Sequence, residues 1–309
     1  MWIHVNDPLD KSAYEQLQEQ LKDHKVTSEH FDKDILKEKV ADVDVLVVRS
    51  ATKVTREIIE AGKNLKIIGR AGMGLDNIDM EAAKEKNLVV VNTPGQNSLS
   101  VAELVVGMIL DIYRGISRGT IGIKNGKWEK KKLTGLELSN KTLGIIGFGY
   151  IGKYIADLVR GFNVNVVAFD VTDIPEEDLK KHNAKQVTLE ELYKTSDIIT
   201  LHVPSNKHTH HMISDEQFEM MKDNVVIINA ARGGVINEEA LLKYLENGKI
   251  YGVGLDVFET EPPTGEFYEK LLSHERLVAT PHIGASTEEA QERVGFNIVE
   301  RVVNEIKKV

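Results

Sequence analysis

The feature that most constrains the fold is a regular alternation of short apolar runs with helical patterns along the 309-residue chain. The segments "WIHV", "VDVLVV", "LKIIG" and "LVVVN" are rich in β-branched residues, which predicts buried strands. Helical patterns such as "AYEQLQEQLKD" and "TREIIEAG" lie between them. Because strands that alternate with helices form parallel sheets, the sequence predicts an α/β fold.

A second alternating series runs from "KTLGIIGFGYIG" to the final strand "RLVATP". Between the two series, helical spacing predicts one long helix from about Ser100 to Lys124, with Ser98 or Ser100 as its cap. The last helix is predicted from about Ser286 to Lys308. Two series can form one long sheet or two lobes, and the long helix between them favours two lobes with a cleft.

Composition narrows the class of protein. The formal net charge of −9 argues against non-specific binding to nucleic acid or to a membrane surface. The lack of cysteine excludes disulfides, thiolate catalysis and cysteine-ligated metals. No uncharged apolar run approaches the ~20 residues of a spanning helix, and "MWIHVNDPLDK" lacks the features of a secretory signal. We therefore expect a cytoplasmic location.

The stretch "GIIGFGYIGKYIADL" places Gly147, Gly149 and Gly152 in G-x-G-x-x-G spacing. The spacing alone also fits an ordinary turn between a strand and a helix. Here a predicted strand precedes the glycines, a predicted helix follows, and the next strand ends in Asp170, which is the context of a dinucleotide site.

Each of these four residues has a physical role in that site. Gly147 permits the tight turn, Gly149 lets the backbone approach a pyrophosphate, and Gly152 permits close packing of the helix on the strand. The helix N-terminus offers N–H groups to the phosphates. Asp170 is expected to accept hydrogen bonds from the adenosine ribose hydroxyls and to repel a 2′-phosphate, which favours NAD over NADP.

Four further polar side chains follow predicted strands of the second series. Arg232 follows "IINAA", Asp256 and Glu261 lie in "LDVFETEPP", and His282 lies in "ATPHIGAS". Taken singly, Arg232 fits a surface ion pair, Glu261 a solvated loop acid and His282 a strand-end imidazole bonded to water. Together they lie at the carboxyl ends of parallel strands beside a nucleotide loop, where open α/β sheets bind their ligands.

A cluster of imidazoles in "SNKHTHHM" resembles a metal site. His208, His210 and His211 are close in sequence, but spacing does not supply tetrahedral geometry. The stretch follows a strand as a polar segment, so we interpret it as a solvated loop and expect no bound metal.

The motifs as a set make the chain similar to the D-isomer-specific 2-hydroxyacid dehydrogenases. The resemblance spans Arg49 to Thr287 and is carried by "VRSATKVT", "GRAGMGLDNID", "NTPGQNSLSVAEL", "GKWEKKKLTGLEL", "LGIIGFGYIG", "NAARGGVINEEAL", "LDVFETEPP" and "PHIGAST". The segments "RSATKVT", "GRAGMG" and "KWEKKK" more narrowly resemble the members that oxidise phosphoglycerate.

The resemblance implies an architecture of two lobes, with a Rossmann-type NAD-binding domain inserted into a flavodoxin-like substrate domain. Residues 1–97, completed by 288–309, correspond to the substrate domain, and residues 98–287 to the NAD-binding domain. It also implies a homodimer formed through the NAD-binding domains. Many phosphoglycerate-oxidising members carry a C-terminal regulatory domain that binds serine, and we expect this chain, which ends at Val309, to lack it.

The resemblance also assigns site residues. His282 is implied as general base, Glu261 as its carboxylate partner, and Arg232 as the ligand of the substrate carboxylate and C2 oxygen. These roles fit the chemistry, because an imidazole titrates near neutral pH and a guanidinium is a planar fork of donors. The implied cofactor residues are Gly147, Gly149, Tyr150, Ile151, Gly152, Asp170, Val203, Pro204, Ala230, Ala231, Arg232, Asp256, His282, Gly284 and Ala285.

The resemblance also implies substrate contacts in the first lobe. The loop Arg70, Ala71, Gly72, Met73, Gly74 resembles the one that binds the substrate carboxylate through backbone N–H groups. Met73 replaces the threonine or serine common there, which puts a side-chain hydrogen bond at that position in doubt. A phosphorylated substrate also needs cations. The candidates are Arg49, with Lys53, in the first lobe and Lys130, with Lys131 and Lys132, after the long helix, although all of them also fit a solvated basic surface.

The implied reaction is NAD-dependent oxidation of D-3-phosphoglycerate to 3-phosphohydroxypyruvate, the first step of serine biosynthesis. One alternative is another dehydrogenase of the family that acts on glyoxylate, hydroxypyruvate or another unphosphorylated acid. A second is an NAD-sensing, corepressor-like binding protein, which an activity assay distinguishes because such a protein turns over poorly on every small acid.

Overall fold

The computed structural model describes all 309 residues and contains twelve strands and thirteen α-helices. The strands are β1 Trp2–Val5, β2 Lys25–Ser28, β3 Val45–Val48, β4 Ile67–Arg70, β5 Val89–Asn92, β6 Thr142–Ile146, β7 Asn165–Phe169, β8 Ala184–Gln186, β9 Ile198–Leu201, β10 Val225–Asn229, β11 Ile250–Leu255 and β12 Leu277–Ala279. The helices are α1 Lys11–Gln20, α2 Lys33–Lys39, α3 Arg56–Ala61, α4 Met80–Glu85, α5 Ser98–Arg114, α6 Ile116–Lys124, α7 Tyr150–Leu158, α8 Glu176–Lys181, α9 Leu189–Thr195, α10 Asp215–Met220, α11 Glu238–Glu246, α12 Glu266–Leu272 and α13 Glu288–Ile306. None of these helices combines the length and the apolar composition that crossing a membrane requires.

The chain divides into two compact units. The first comprises Met1–Asn97 and Ala285–Val309, and the second comprises Ser98–Gly284. Each unit contains one sheet, and every strand pair in both sheets is parallel. The predicted α/β fold with parallel sheets is confirmed.

The first unit is a five-stranded sheet in the order β2-β1-β3-β4-β5. This is the flavodoxin-like order. Helix α13 completes the unit, because its buried Ile298 and Val302 share an apolar cluster with strands β1, β3 and β4. A side chain at Gly69 in β4 would place Cβ 2.8 Å from Cγ2 of Val302, so only glycine permits this close helix–sheet packing.

The second unit is a seven-stranded sheet in the order β12-β11-β10-β9-β6-β7-β8. Read from β8 to β11, six strands follow the Rossmann order 3-2-1-4-5-6, and β12 adds a seventh. The strands β9, β10 and most of β11 are fully buried and mostly apolar, as expected for a parallel sheet covered on both faces. The order reverses between β6 and β9, which is where such sheets bind nucleotides.

The predicted single helix from Ser100 to Lys124 is wrong. Gly115 adopts a left-handed backbone with φ of 62° and separates α5 from α6. Ser98 is already the first helical residue and its buried hydroxyl has no hydrogen-bond partner, so it is not the cap. The last helix begins at Glu288 rather than Ser286, because Oγ1 of Thr287 accepts a hydrogen bond from the backbone N–H of Ala290.

Five elements were not predicted, and they share weak apolar patterning. They are β2, α2, α8, β8 and α12. Strand β2 lies at a sheet edge with no fully buried residue, and α8 buries none of its side chains. Helix α2 buries only Leu36, and α12 buries only Tyr268 and Leu271, so these short segments carry little of the hydrophobic period on which the prediction of strands and helices depends.

Candidate active site

The glycine loop after β6 shows why each glycine is needed. Gly147 has φ of 94°, and a Cβ there would lie 2.4 Å from the carbonyl oxygen of His202, which follows β9. A Cβ on Gly152 would lie 2.6 Å from the carbonyl oxygen of Gly147. A Cβ on Gly149 would meet no atom within 4 Å. The outer two glycines therefore serve internal packing, while the middle one faces open space that a ligand can approach.

The electrostatics of this loop suit an anion. Gly149 is the N-terminal cap of α7 and supplies no side chain to the first turn, so the helix leaves its initial N–H groups for another acceptor. Tyr150 and Ile151 open the helix, and the side chain of Tyr150 is 57% exposed. This cradle, which a side chain at Gly149 would fill, fits the pyrophosphate of a dinucleotide.

Asp170 lies beside the loop because it directly follows β7, the neighbour of β6 in the sheet. Its Oδ2 accepts a 2.9 Å hydrogen bond from the backbone N–H of Phe148. Oδ1 has a weaker partner in Thr172, with distances of 3.4 Å to its N and 3.5 Å to its Oγ1. One oxygen thus fixes the carboxylate to the glycine loop, and the other retains capacity for an added donor such as a ribose hydroxyl.

The remaining cofactor candidates also follow strands of this sheet. Val203 and Pro204 follow β9, and Ala230 and Ala231 follow β10 and are buried. Gly284 ends the second unit, and Ala285 begins the last segment of the first unit. His202 precedes Val203, and burial lowers the pKa of its imidazole to about 3, so it stays neutral beneath the loop.

Arg232 lies on a turn that Asn229 shapes. The buried Asn229 ends β10, donates from Nδ2 to the carbonyl oxygen of Arg232 at 2.9 Å, and accepts at Oδ1 from the N–H of Ala231 at 3.1 Å. Nη1 of Arg232 donates to the carbonyl oxygen of Ala231 at 2.6 Å. The side-chain amide of Asn229 closes the turn, and the hydrogen bond to Ala231 holds the guanidinium close to the chain.

His282 and Glu261 form a hydrogen-bonded pair. Nδ1 of His282 lies 2.9 Å from Oε2 of Glu261, and both side chains are partly exposed. Oε1 of Glu261 accepts from the backbone N–H of Phe258 at 3.1 Å. With Nδ1 engaged by the carboxylate, Nε2 is the ring atom left to exchange a proton with a substrate.

Asp256 holds the loop that carries His282. It is 1% exposed, and its Oδ1 accepts from Oγ1 of Thr280 at 2.6 Å and from the N–H of Ile283 at 2.7 Å. Its Oδ2 accepts from the N–H of Gly284 at 2.8 Å. His282 itself has a positive φ of 53°, a conformation that a side chain adopts when its surroundings enforce it. Contact of Asp256 with the cofactor stays a prediction, whereas its hydrogen bonds to the loop are part of the structure.

The three strands that carry these groups, β10, β11 and β12, are neighbours in the sheet. Adjacent strands lie about 5 Å apart, so Arg232, Glu261 and His282 project from one short stretch of the sheet's carboxyl edge. A guanidinium beside a carboxylate–imidazole pair can bind an acid and move one proton.

In the first unit, the loop that bears Arg49 is held from both sides. The buried Asp7 accepts from the N–H groups of Arg49 at 2.6 Å and Thr52 at 3.2 Å, and from Oγ1 of Thr52 at 2.7 Å. Nδ2 of Asn77 donates to the carbonyl oxygens of Arg49 and Thr52, both at 2.7 Å. The guanidinium of Arg49 has a 3.3 Å contact with the carbonyl oxygen of Pro8, so a fixed backbone carries a weakly held side chain.

The loop from Arg70 to Gly74 folds over the side chain of Arg70. Gly72 has φ of 143°, and a Cβ there would lie 1.5 Å from Nη1 of Arg70, so the guanidinium occupies the side-chain space of that position. The carbonyl oxygen of Met73 accepts from Nδ2 of Asn92 at 2.6 Å, and the Met73 side chain is 42% exposed. The N–H groups of Gly72, Met73 and Gly74 enter no backbone hydrogen bond of the structure.

The histidine cluster and Lys130 are the remaining predicted residues. His210 stacks on His211 with ring centroids 4.0 Å apart, and the structure contains no group of three or more His, Cys, Asp or Glu side chains that can hold a metal. Lys130 opens a 3-10 turn, Lys130–Leu133, in the second unit that buries no residue.

A family model described as "D-isomer specific 2-hydroxyacid dehydrogenase, NAD binding domain" matches residues 106–284. The chain is 55% identical over 304 residues to the hydroxypyruvate reductase of Thermotoga maritima, covering 98% of each protein. It is 46% identical over 301 residues to the D-3-phosphoglycerate dehydrogenase of Methanocaldococcus jannaschii, covering 97% of this chain and 56% of that protein. The chain therefore spans little more than half the length of this second relative.

A solved structure has the same fold. The D-lactate dehydrogenase of Aquifex aeolicus, complexed with NAD and lactic acid, superposes with a TM-score of 0.88 and 32% identity. The match covers 100% of this chain and 96% of that one.

We predict that Asp170→Ala weakens NAD binding and reduces discrimination against NADP. The variant loses a charge-assisted hydrogen bond to ribose, worth about 1.5–3 kcal/mol, so the Kd for NAD is expected to rise about 10- to 100-fold. Titration of both cofactors followed by protein fluorescence measures it. Asp173→Ala, which removes the same charge from an exposed position three residues on, is the control. Tighter binding of NADP than of NAD by the unaltered protein contradicts the assignment.

Proposed function

Because the chain belongs to the D-isomer specific 2-hydroxyacid dehydrogenases, and its second unit contains their NAD-binding domain, we propose that it oxidises D-3-phosphoglycerate to 3-phosphohydroxypyruvate. The observation that best supports this proposal is the hydrogen bond between His282 and Glu261, at the sheet edge that also bears Arg232. Serine biosynthesis is the process that this reaction would feed.

The proton path starts at the substrate's C2 hydroxyl. Nε2 of His282 accepts that proton during oxidation and returns it during reduction, while Glu261 holds the opposite ring nitrogen. Arg232 binds the substrate carboxylate and orients the C2 oxygen. Bound NAD supplies the hydride acceptor. The loop Gly147–Gly152, with Asp170, would hold its pyrophosphate and ribose.

We propose that residues of the first unit also contact the two anionic groups of the substrate. The N–H groups of Gly72, Met73 and Gly74 would receive the carboxylate, an arrangement that needs no hydroxyl at position 73. Arg49, with Lys53 nearby in sequence, would receive the phosphate, because its guanidinium is anchored by one weak contact and can turn toward an anion. Lys130 is a further candidate for the phosphate.

A second candidate is the reduction of unphosphorylated hydroxypyruvate. It is favoured by the relative from Thermotoga maritima, which is named for that activity and matches along 98% of both chains. The two substrates share the carbon skeleton and the acid–base chemistry, and they differ in the group on C3. The two candidates are therefore distinguished by whether the candidate phosphate ligands, above all Arg49, bind a phosphate.

We predict that His282→Ala lowers kcat about 10²- to 10⁴-fold, because a positioned acid–base group contributes about that much. Binding of NAD is expected to stay near normal. Glu261→Gln is expected to lower kcat as well, because an amide holds the imidazole nitrogen less strongly than a carboxylate does. Steady-state rates across pH 5–9 measure both. His208→Ala is the control, and unchanged turnover by His282→Ala would show that another group takes the proton.

We predict that Arg49→Ala raises KM for 3-phosphoglycerate at least about tenfold, equivalent to about 1.4 kcal/mol. Rates on glycerate and hydroxypyruvate are expected to change much less, because those acids lack the phosphate. Arg56→Ala serves as control, because that guanidinium is already neutralised by Glu85. Equal losses on all substrates would make Arg49 structural. Higher kcat/KM of the unaltered enzyme on the unphosphorylated acids would establish the second candidate.

We also propose that the protein is a homodimer through the second unit. Helix α6 buries none of its residues, and Ile116, Ile121, Ile123 and Trp128 are 58%, 60%, 57% and 81% exposed. Such a concentration of exposed apolar side chains is typical of an interface.

Sedimentation is expected to give twice the 34.5 kDa chain mass. Ile121→Glu is expected to shift the protein toward monomer, because burying the new carboxylate in a contact is unfavourable. Ile35→Glu, at an apolar position 47% exposed in the first unit, is the control. A dimer that is equally stable in both variants would place the interface elsewhere.

A further inference from the structure

The segment that carries Glu261 is held through its backbone by side chains. Three consecutive N–H groups each donate to a side-chain oxygen: Phe258 to Oε1 of Glu261 at 3.1 Å, Glu259 to Oε1 of Glu238 at 3.0 Å, and Thr260 to the hydroxyl of Tyr268 at 3.0 Å. The segment belongs to no strand or helix. Its conformation therefore depends on these acceptors.

Glu238 is the centre of this arrangement. It is the first residue of α11 and is 5% exposed, and both of its carboxylate oxygens are used. Oε1 accepts from Glu259, and Oε2 accepts from the hydroxyl of Tyr268 at 2.8 Å. In return, the N–H of Glu238 donates to Oε1 of Glu259 at 3.2 Å. Glu238 thus holds Glu259 directly and Thr260 through Tyr268.

The charged and titratable groups that face Glu238 are Glu259, His211 and Tyr268. Burial raises the pKa of the Glu238 carboxyl, while the hydrogen bonds from Tyr268 and Glu259 favour its ionised form. The charge of Glu259 raises the pKa of Glu238 further, whereas His211, whose Nε2 lies 2.9 Å from Oε1 of Glu259, lowers it. The network supplies the donors that a buried carboxylate requires.

The same segment is also packed closely against the turn that carries Arg232. A Cβ on Gly233, beside Arg232, would lie 1.8 Å from the carbonyl oxygen of Phe258. The turn after β10 therefore packs directly on the segment that holds Glu261. A shift of this backbone by a few tenths of an ångström moves the Glu261 carboxylate relative to His282.

We propose that Glu238 is a positioning residue for the acid–base pair, and that Tyr268 relays its effect to Thr260. Neither residue touches the reacting atoms. Together they fix the backbone from Glu259 to Glu261, so that Oε2 of Glu261 meets Nδ1 of His282. The proposal rests on the proposed function, because its consequence is measured in the proton-transfer step.

The test compares Glu238→Gln and Tyr268→Phe with Glu239→Ala. Glu239 has the same charge in the same helical turn but is exposed, so its removal changes the helix terminus equally and leaves the network intact. Glu238→Gln is expected to lower kcat about tenfold, since misplacement of a catalytic group by 1 Å costs up to about 100-fold. KM for NAD is expected to stay within twofold of the unaltered value, so that the loss is confined to kcat.

A double-mutant cycle decides the mechanism. If Glu238 acts through Glu261, then Glu238→Gln has little further effect on kcat in a Glu261→Gln background. Additive losses, or a lowered Tm with an unchanged kcat, would overturn the proposal. If Glu238→Gln does not fold, Tyr268→Phe takes its place in the same cycle, with the same outcomes for and against the positioning role.

All rates are measured with the 2-hydroxy acid that the unaltered enzyme oxidises fastest. The choice of that acid tests the proposed function, and the cycle tests the positioning role. The two results are therefore separate.

Discussion

The parallel direction of the seven strands in the second unit is the constraint on which the site depends. Parallel strands end at one edge, so the loops after β6, β7, β10, β11 and β12 all emerge there. The reversal of strand order between β6 and β9 opens the edge at the glycine loop, where Gly147 packs against the carbonyl oxygen of His202. A single arrangement of strands thus brings the phosphate cradle and the acid–base groups to the same side of the sheet.

Buried polar side chains then give the loops their shapes. Asn229, Asp256 and Glu238 are each at most 5% exposed, and each makes at least one hydrogen bond to the backbone of a loop at this edge. Burying such groups is unfavourable unless their bonding capacity is met, so each one disfavours loop conformations that leave it unpaired. In the first unit, Asp7 and Asn77 act in the same way on the loop that bears Arg49. The groups proposed to touch ligands are therefore carried by backbones that buried polar groups hold in place.

The sequence predicts the fold class and the sites that depend on local chemistry, because these leave local signals. Gly147, Gly149 and Gly152 are spaced by the geometry of a turn, and apolar runs such as that of β10 reflect burial on both faces. The roles of Glu238 and Tyr268 could not be found in this way. They lie 30 residues apart, and their meeting depends on how α11 and α12 pack. The break at Gly115 was equally hidden, since apolar positions continue at helical spacing on both sides of a glycine whose φ no pattern reports.

Because α13 packs on the first sheet, the two units become complete in a different order from the one in which their synthesis begins. Synthesis proceeds from the N-terminus, and domains fold as units. The second unit, Ser98–Gly284, is complete before its last neighbour in sequence is made, and its core needs no later residue. The first unit begins earlier but lacks Ile298 and Val302, which cover β4, until the final helix leaves the exit tunnel. The unit that is begun first is therefore finished last, and one apolar face of its sheet stays uncovered until α13 packs on it.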